Sequence, residues 1–297
     1  MDSETCPESH EDTISEFPDE ILLHILSYLP TEDIVTTLAL STRWQSVVSL
    51  LPSDFYFDFD WGFDWVTYGS GSSLCIPLDS CHDFLVQTIP HGSRIQKFCL
   101  RYPLLPDNNH RSMLECKSLL CGAARHKIEK MKLEFVIDPQ NPYQKVMSLP
   151  HSLFTSDSLT SLELTMTMEY ENNNLEFECP RIEFPTSIWW LPSLRNLHIE
   201  WFQDWEKLIL PDCPVLEELI LRCRHRNIHI SIASARLQRL TIEGFMPHDS
   251  YSSLQINCPN LEYLNISDWC GHGDIQVCDL YSLAEADIDI DCEAYFR

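Results

Sequence analysis

Positive charge is scarce in this chain: 20 Lys and Arg stand against 45 Asp and Glu, a formal net charge of −25 over 297 residues. Binding to nucleic acid rests on a concentrated basic face that neutralises phosphates, so the balance argues against that class. Long apolar runs are missing as well, although 44% of the residues are hydrophobic. No stretch approaches the roughly 18 apolar residues of a membrane span. The first residues are acidic and polar, so no signal peptide is expected, and a cytoplasmic or nuclear location is the default. Cysteine is plentiful at 13, but the number is odd and no C-x-x-C occurs, which argues against a disulfide framework. Cys270, His272, Cys278 and Cys292 come nearest to a metal cluster, and their spacing fits no zinc template. Asn265-Ile266-Ser267 is a chance glycosylation sequon in a chain without a secretory route.

Catalytic signatures are lacking too. There is no G-x-S-x-G elbow, no H-E-x-x-H, no phosphate loop and no kinase motif. Gly69-Ser70-Gly71-Ser72-Ser73 lacks the glycine pattern and lysine of a phosphate loop and reads as a flexible connection. The acid pairs Glu217-Glu218 and Asp287-x-Asp289-x-Asp291 read as solvated carboxylates, and His225 and His229 have no matched nucleophile. Neither catalysis nor a cofactor is expected.

What is present begins with helix signals near the amino terminus. Pro18 suits the first turn of a helix, where its missing N–H costs nothing, and Asp19 and Glu20 place negative charge at the helix's positive end. Leu22, Ile25, Leu26 and Leu29 follow with the spacing of one helical face. Pro30 stops that helix. Thr31 is expected to cap a second one carrying Ile34, Val35 and Leu38, and Ser41 a third carrying Trp44, Val47 and Val48. So short a module cannot bury all this apolar surface alone, because units below about 40 residues usually need outside help. A partner is expected to cover the remainder.

The run Pro18-Asp19-Glu20-Ile21-Leu22, then Leu29-Pro30, Asp33 and Ser41-x-Arg43-Trp44, resembles the F-box in order and spacing. The resemblance implies docking to the Skp-type adaptor of a cullin-based ubiquitin ligase. Position by position, it implies that Phe17, Pro18, Ile21, Leu22, Ile25, Leu26, Leu29, Pro30, Ile34, Val35 and Trp44 face the adaptor or form the module core. Phe17 stands where the family usually has Leu, and Thr42 and Gln45 stand where many relatives carry Lys or Arg. Because Phe is still apolar, altered affinity is expected rather than lost docking.

Beyond this module a short phrase recurs. Clear copies are Leu194-x-x-Leu197-x-Ile199, Leu216-x-x-Leu219-x-Leu221, Leu237-x-x-Leu240-x-Ile242 and Leu261-x-x-Leu264-x-Ile266. A weaker copy starts at Leu283, and earlier ones start at Ile95, Ile128 and Leu159. The interval falls from 31–35 residues in the first half to 21–24 in the second. In such a phrase the last two apolar residues alternate inward from a short strand while the first anchors the preceding turn. Cys213-Pro214 and Cys258-Pro259 should give extended entry and small apolar fill. Phe55, Phe57 and Phe59 read as a first strand capping the array, and residues 112–126, with Leu114, Leu119, Leu120, Ala123 and Ala124, as a helix packed behind the early copies.

Leu149-Pro150-x-x-Leu153-Phe154, Trp190-Leu191-Pro192-Ser193-Leu194 and Cys213-Pro214-Val215-Leu216-Glu217-Glu218-Leu219 are phrases typical of plant-type F-box/leucine-rich-repeat proteins. The chain resembles that family over residues 12–290. The fold implied is an α/β repeat solenoid: a three-helix F-box, then a leucine-rich-repeat horseshoe of about eight repeats. The expected organisation is an acidic tail (1–11), the F-box (12–52), a linker with first strand and cap (53–92) and the repeats (93–297). Many such relatives carry a further domain after the repeats, so the resemblance implies a short family member or a truncated product.

Strand periodicity then names the side chains free to bind on the concave face. They are Lys97 and Arg101; Lys130 and Lys132; Asn196, His198 and Glu200; Glu218, Ile220 and Arg222; Arg239, Thr241 and Glu243; Tyr263, Asn265 and Ser267; and Glu285, Asp287 and Asp289. Residues 1–64 hold fourteen acids and one cation, Arg43, whereas residues 94–132 hold nine cations and three acids. The inner face is therefore expected to pass from basic to acidic, for an elongated target of complementary charge. The resemblance implies a substrate receptor of a ubiquitin ligase, binding a Skp-type adaptor, through it a cullin, and a target protein. A scaffold or decoy outside any ligase, and a small-molecule receptor on the concave face, are the competing readings.

Overall fold

A computed structural model of the chain describes residues 16–51, 54–58, 78–104, 110–137, 146–168, 181–183, 191–201, 213–223, 229–243, 253–267 and 275–289, together with Ile14. Two compact units meet in sequence at Pro52 and Ser53.

The first unit holds three short helices, α1 (Asp19–Leu26), α2 (Thr31–Thr37) and α3 (Thr42–Val48). Proline sets two of the three starts. Pro18 and Pro30 stand at the N-cap with φ of −56° and −57°, one residue ahead of the helix. Thr31 is therefore the first helical residue rather than the cap expected of it. Ser41 does cap α3, accepting a hydrogen bond from the Trp44 N–H at 3.4 Å. Helices this short gain little from propensity and are held by packing. Leu22, Leu26, Ile34, Val35, Trp44, Val47 and Val48 are the buried apolar residues among the described ones of this unit.

The second unit is organised by a nine-stranded parallel sheet whose spatial order is its chain order. Its strands are β1 (Asp54–Asp58), β2 (Arg94–Leu104), β3 (Lys127–Ile137), β5 (Ser161–Met168), β7 (Asn196–Trp201), β8 (Glu218–Cys223), β10 (Arg239–Glu243), β12 (Tyr263–Ser267) and β14 (Glu285–Ile288). A second parallel sheet joins β9 (His229–Ala233), β11 (Ser253–Asn257) and β13 (Ile275–Cys278), and a small third one pairs β4 (Val146–Ser148) with β6 (Arg181–Glu183). A parallel sheet with few helices is what the repeated phrase predicts. Each copy is one strand, placed beside the previous copy in unshifted register. Phe98, Met131, Leu162, Leu197, Leu219, Leu240 and Leu264 lie side by side as one buried row across the strands. Leu100, Leu133, Leu164, Ile199, Leu221, Ile242 and Ile266 form the next.

The two residues between the first leucines of the phrase also have a task. The N–H groups of Arg195, Glu217, Gln238, Glu262 and Ala284 each donate to a carbonyl of the preceding copy, at 2.8–2.9 Å. Backbone polarity that would otherwise be stranded at the strand entry is thereby satisfied.

Three details depart from expectation. Helix α5 runs His110–Ala123 and leaves Leu114 exposed, while Leu119, Leu120 and Ala123 are buried. It packs on α4 (Leu78–Asp83) and the π-helical turn Phe84–Thr88 that continues it. A side chain at Gly122 would meet His82 and Val86 at 3.3–3.4 Å, a tight contact that reflects the close approach of these elements. Cys258 is fully buried as expected, but Cys213 is only half-buried. The weak last copy is the third departure: Leu283 is half-buried and Ala286 and Ile288 are exposed, with β12 the one strand paired to β14 among the described residues. Phe55 and Phe57 are buried on β1, whereas Phe59 and residues 69–73 lie outside the described residues.

Candidate interaction surfaces

The two surfaces differ in chemistry, and the first is apolar. Helix α1 turns Leu22 and Leu26 inward and leaves Ile21 and Ile25 45% and 37% exposed. Ile14, Phe17 and Tyr28 extend the exposed set along the same stretch. Their numbers step by three or four, so within the helix they share one outer stripe. The face expected to carry Leu22, Ile25, Leu26 and Leu29 together is thus divided, with Leu29 half-buried. Leu22, Leu26, Ile34, Val35 and Trp44 are buried, so they build the module instead of presenting themselves to a partner. Phe17, Pro18, Ile21, Ile25 and Pro30 remain as outward members of the expected set.

Arg43, quoted in the F-box-like phrase, was not among the expected site residues. Its guanidinium donates to the Asp19 carboxylate at 2.8 Å and to the Phe17 carbonyl. It ties the start of α1 to α3 and fixes the approach of Phe17 and Pro18. An Arg two residues after a capping Ser, with an Asp at the first helix start, was the available signal.

The second surface is the face of the nine-stranded sheet opposite the leucine rows, and it is polar. Lys97 and Arg239 are exposed, as is Lys130, while Arg101, Lys132, His198, Glu200, Arg222, Glu243, Tyr263 and Asn265 are half-buried. Register explains why. Parallel strands in unshifted alignment put acid and base on neighbouring strands side by side: Lys132 with Glu163 at 2.7 Å, Arg101 with Glu134 at 3.3 Å, and Arg239 with Glu218 at 3.5 Å. Arg222 is held between Glu243 at 2.6 Å and Glu200 at 3.7 Å. The Arg239 guanidinium also lies 4.4 Å above the Tyr263 ring, a cation–π contact.

Donating hydrogen bonds to their carboxylate partners raises the pKa of Lys132 and of Arg222. His198 behaves oppositely. Its Nδ1 lies 3.8 Å from Glu163, which favours the charged ring, but burial outweighs that attraction and lowers its pKa, so the ring is neutral near pH 7. Thr165 Oγ1, His198 Nε2 and Asn265 Oδ1 are buried on this face without a hydrogen-bond partner among the described residues.

The smooth passage from basic to acidic is therefore interrupted. Cations in the middle are matched by cross-strand carboxylates, including Glu134 and Glu163, which were not among the expected site residues. Among the described residues of this strand face the charges without an ion pair lie toward the two ends, Asp54, Lys97 and Lys130 near β1 and Glu285, Asp287 and Asp289 at the last strand. No metal-binding group of His, Cys, Asp and Glu occurs among the described residues; Cys278 is exposed, and Cys270, His272 and Cys292 lie outside them. Burial pushes the Cys116 thiol up to about 12, which makes it inert. No described helix is long and apolar enough to cross a membrane.

The F-box domain family matches residues 14–56. An F-box/FBD/LRR-repeat protein of Arabidopsis thaliana is 30% identical over 279 residues, taking in 91% of this chain and 55% of that protein. A second F-box/FBD/LRR-repeat protein of the same plant is 28% identical, covering 94% of this chain and 60% of its own length. An F-box/LRR-repeat protein, also from Arabidopsis thaliana, is 27% identical over 94% of this chain and 80% of its own length. The chain thus spans little more than half the length of the first two. No solved structure matches it.

Proposed function

We propose that this chain, a member of the plant-type F-box/leucine-rich-repeat family, is the substrate-recognition subunit of an SCF-type ubiquitin ligase, working in the cytoplasm or nucleus. The first unit docks a Skp-type adaptor and through it a cullin. The polar face of an array of about eight repeats, curved as a horseshoe, holds a target protein. The mechanism is proximity: a ubiquitin-conjugating enzyme delivered by the assembly meets the target's lysines at high effective concentration. The chain supplies binding energy and geometry and breaks no bond with its own residues.

One observation carries the reading. The stripe of Phe17, Ile21, Ile25 and Tyr28 is exposed within the segment that matches the F-box, a domain that generally binds Skp1-type adaptors. Ile21 and Ile25 share one face of α1, and Phe17 and Tyr28 flank the helix; large exposed apolar side chains gathered in one short stretch mark an interaction site, whereas scattered ones do not. Anchors of this kind contribute most of an interface's energy.

Co-purification with a Skp-type adaptor tests it, comparing the native chain with an Ile21→Asp/Ile25→Asp variant. Both side chains are exposed, so the variant keeps its fold, which circular dichroism verifies. Loss of the complex in the folded variant is the expected result. An undiminished complex, or no complex with the native chain, overturns the reading and leaves a scaffold outside any ligase.

A further inference from the structure

Two side-chain atoms in the middle of the polar face are left unpaired by the charges around them. Thr165 is 5% exposed, and its Oγ1 has no hydrogen-bond partner among the described residues. Nε2 of the half-buried His198 is likewise buried and unpartnered among them. The two residues belong to β5 and β7, interior strands that are each paired on both sides with a described strand. Register sets Glu163 beside His198 and Glu200 beside Thr165, with Ile220 on the far side of His198 and Glu134 on the far side of Thr165. Glu134, Glu163, Glu200 and Ile220 are half-buried, so the ground around the two atoms is partly open to an incoming group. An unpaired buried polar atom costs stability in the free protein. A ligand group that pairs with it gains a hydrogen bond without first stripping water from that atom.

The surroundings restrict what that group is. The Glu163 carboxylate lies 3.8 Å from His198 Nδ1 and favours the ring proton there, which leaves a lone pair on Nε2. A hydroxyl oxygen accepts as well, and an ionised carboxylate only accepts. The cations nearby are engaged elsewhere: Lys132 with Glu163 at 2.7 Å, and Arg222 with Glu243 at 2.6 Å. Glu200 keeps a single ion-pair contact among the described residues, at 3.7 Å to the shared Arg222, and is the underused acid of the group. Acceptors spread over two neighbouring strands suit several donors fixed in one plane, which a guanidinium carries and an ammonium does not. Ile220 offers apolar surface to the stem behind it. We propose that Thr165, His198 and Glu200 form an anchor site for an arginine side chain of the target protein. The site rests on the reading that this face holds a target, and it needs neither the adaptor nor an assembled ligase.

The test uses the full chain carrying isotope-labelled histidine and the peptide acetyl-Gly-Arg-Gly-amide, titrated at about pH 7.5, where ordinary imidazoles are neutral. Imidazole nitrogens are followed by NMR, and His198→Gln identifies the His198 signals. Two control peptides replace arginine by lysine, which keeps the charge, or by citrulline, which keeps the planar shape. In the free chain His198 should carry its proton on Nδ1. The arginine peptide should shift His198 Nε2 and bind roughly tenfold more tightly than either control. Glu200→Gln should weaken it by roughly the same factor. Thr165→Val should also weaken it, yet raise Tm, because it removes an unpaired buried hydroxyl. A merely structural threonine would lower Tm instead. A proton on Nε2, equal binding of either control peptide, no shift at His198, or unchanged binding by either variant overturns the site. Adaptor co-purification is read separately, so a chain that binds the arginine peptide but no adaptor keeps this site and loses the ligase reading, and the reverse result does the opposite.

Discussion

The first unit and the repeat sheet leave opposite things uncovered. In the first, Ile14, Phe17, Ile21, Ile25, Tyr28, Leu40 and Leu50 are exposed around a core of seven buried apolar residues among the described ones. In the sheet, from β2 to β12, the inward rows are closed and the open face carries charges matched across strands. A helical trio of this length has more apolar surface than it can hide, so its leftover is a greasy stripe. A repeat array hides each copy's apolar row under the next, so its leftover is the polar face along its length. Partners of the two units should accordingly be recognised by different forces: burial for the first, charge and hydrogen bonding for the second.

The sharpest way to break this contrast is to truncate neighbours that differ only in direction. Leu22→Ala and Ile266→Ala remove fully buried side chains and should each cost about 2–5 kcal/mol, a transfer loss plus a cavity. Ile21→Ala and Ile288→Ala remove exposed ones and should cost less than about 1 kcal/mol. Denaturant unfolding of the four variants decides the matter. Equal costs within either pair would mean that the inward and outward assignment is wrong.

A smaller effect comes from pH. His126 Nε2 donates to the Leu85 carbonyl at 2.8 Å, and burial lowers the ring's pKa, helped by the nearby His91 and Arg125 and opposed by the Leu85 and Pro90 carbonyls. His198 is lowered by burial as well. Both rings are neutral in the folded chain, and the unfolded chain takes up their protons first. Their stabilisation is complete above the ordinary imidazole value of about 6.5 and is lost as pH falls through the lower folded values. Thermal melts between pH 7.5 and 5 should show Tm declining toward acid, and the decline should be shallower in His126→Gln. An identical slope in that variant would mean that His126 is not held neutral.

Much of this was legible in the sequence. The strands announced themselves because leucine at fixed offsets and alternation by two coincide in one phrase, and because proline and serine punctuate the first helices. Other parts were not legible, for identifiable reasons. Ile21 and Ile25 satisfy the helical period as well as Leu22 and Leu26 do, so pattern alone could not say which pair turns inward. The strands β9, β11 and β13 are four or five residues long, and their Ile230-x-Ile232 and Leu254-x-Ile256 alternation was the only trace. The partners of the cations could be found only by aligning the copies. Arg222 lies 21 residues from Glu243, and each directly follows the last apolar residue of its phrase, so only the unshifted register of the strands makes them adjacent.

That pair supplies the smallest effect and the finest test of how the polar face is held. Arg222 is roughly half exposed and shared by Glu200 and Glu243, so neutralising it should cost little in stability, within the range of about 0.2–1 kcal/mol measured for exposed ion pairs. Most of that cost should disappear in high salt, where screening weakens the pairs in the native chain as well. Arg222→Gln keeps a hydrogen-bond donor and removes only the charge, so the difference from the native chain isolates the Coulombic part. Unfolding of both in about 0.05 M and 1 M salt gives the comparison, with a Debye length near 3 Å at the upper value. A difference that persists undiminished in high salt would point to packing of the guanidinium stem against its neighbours. The open face of the sheet would then be held by contact, like the inner rows, and the contrast between the two units would narrow.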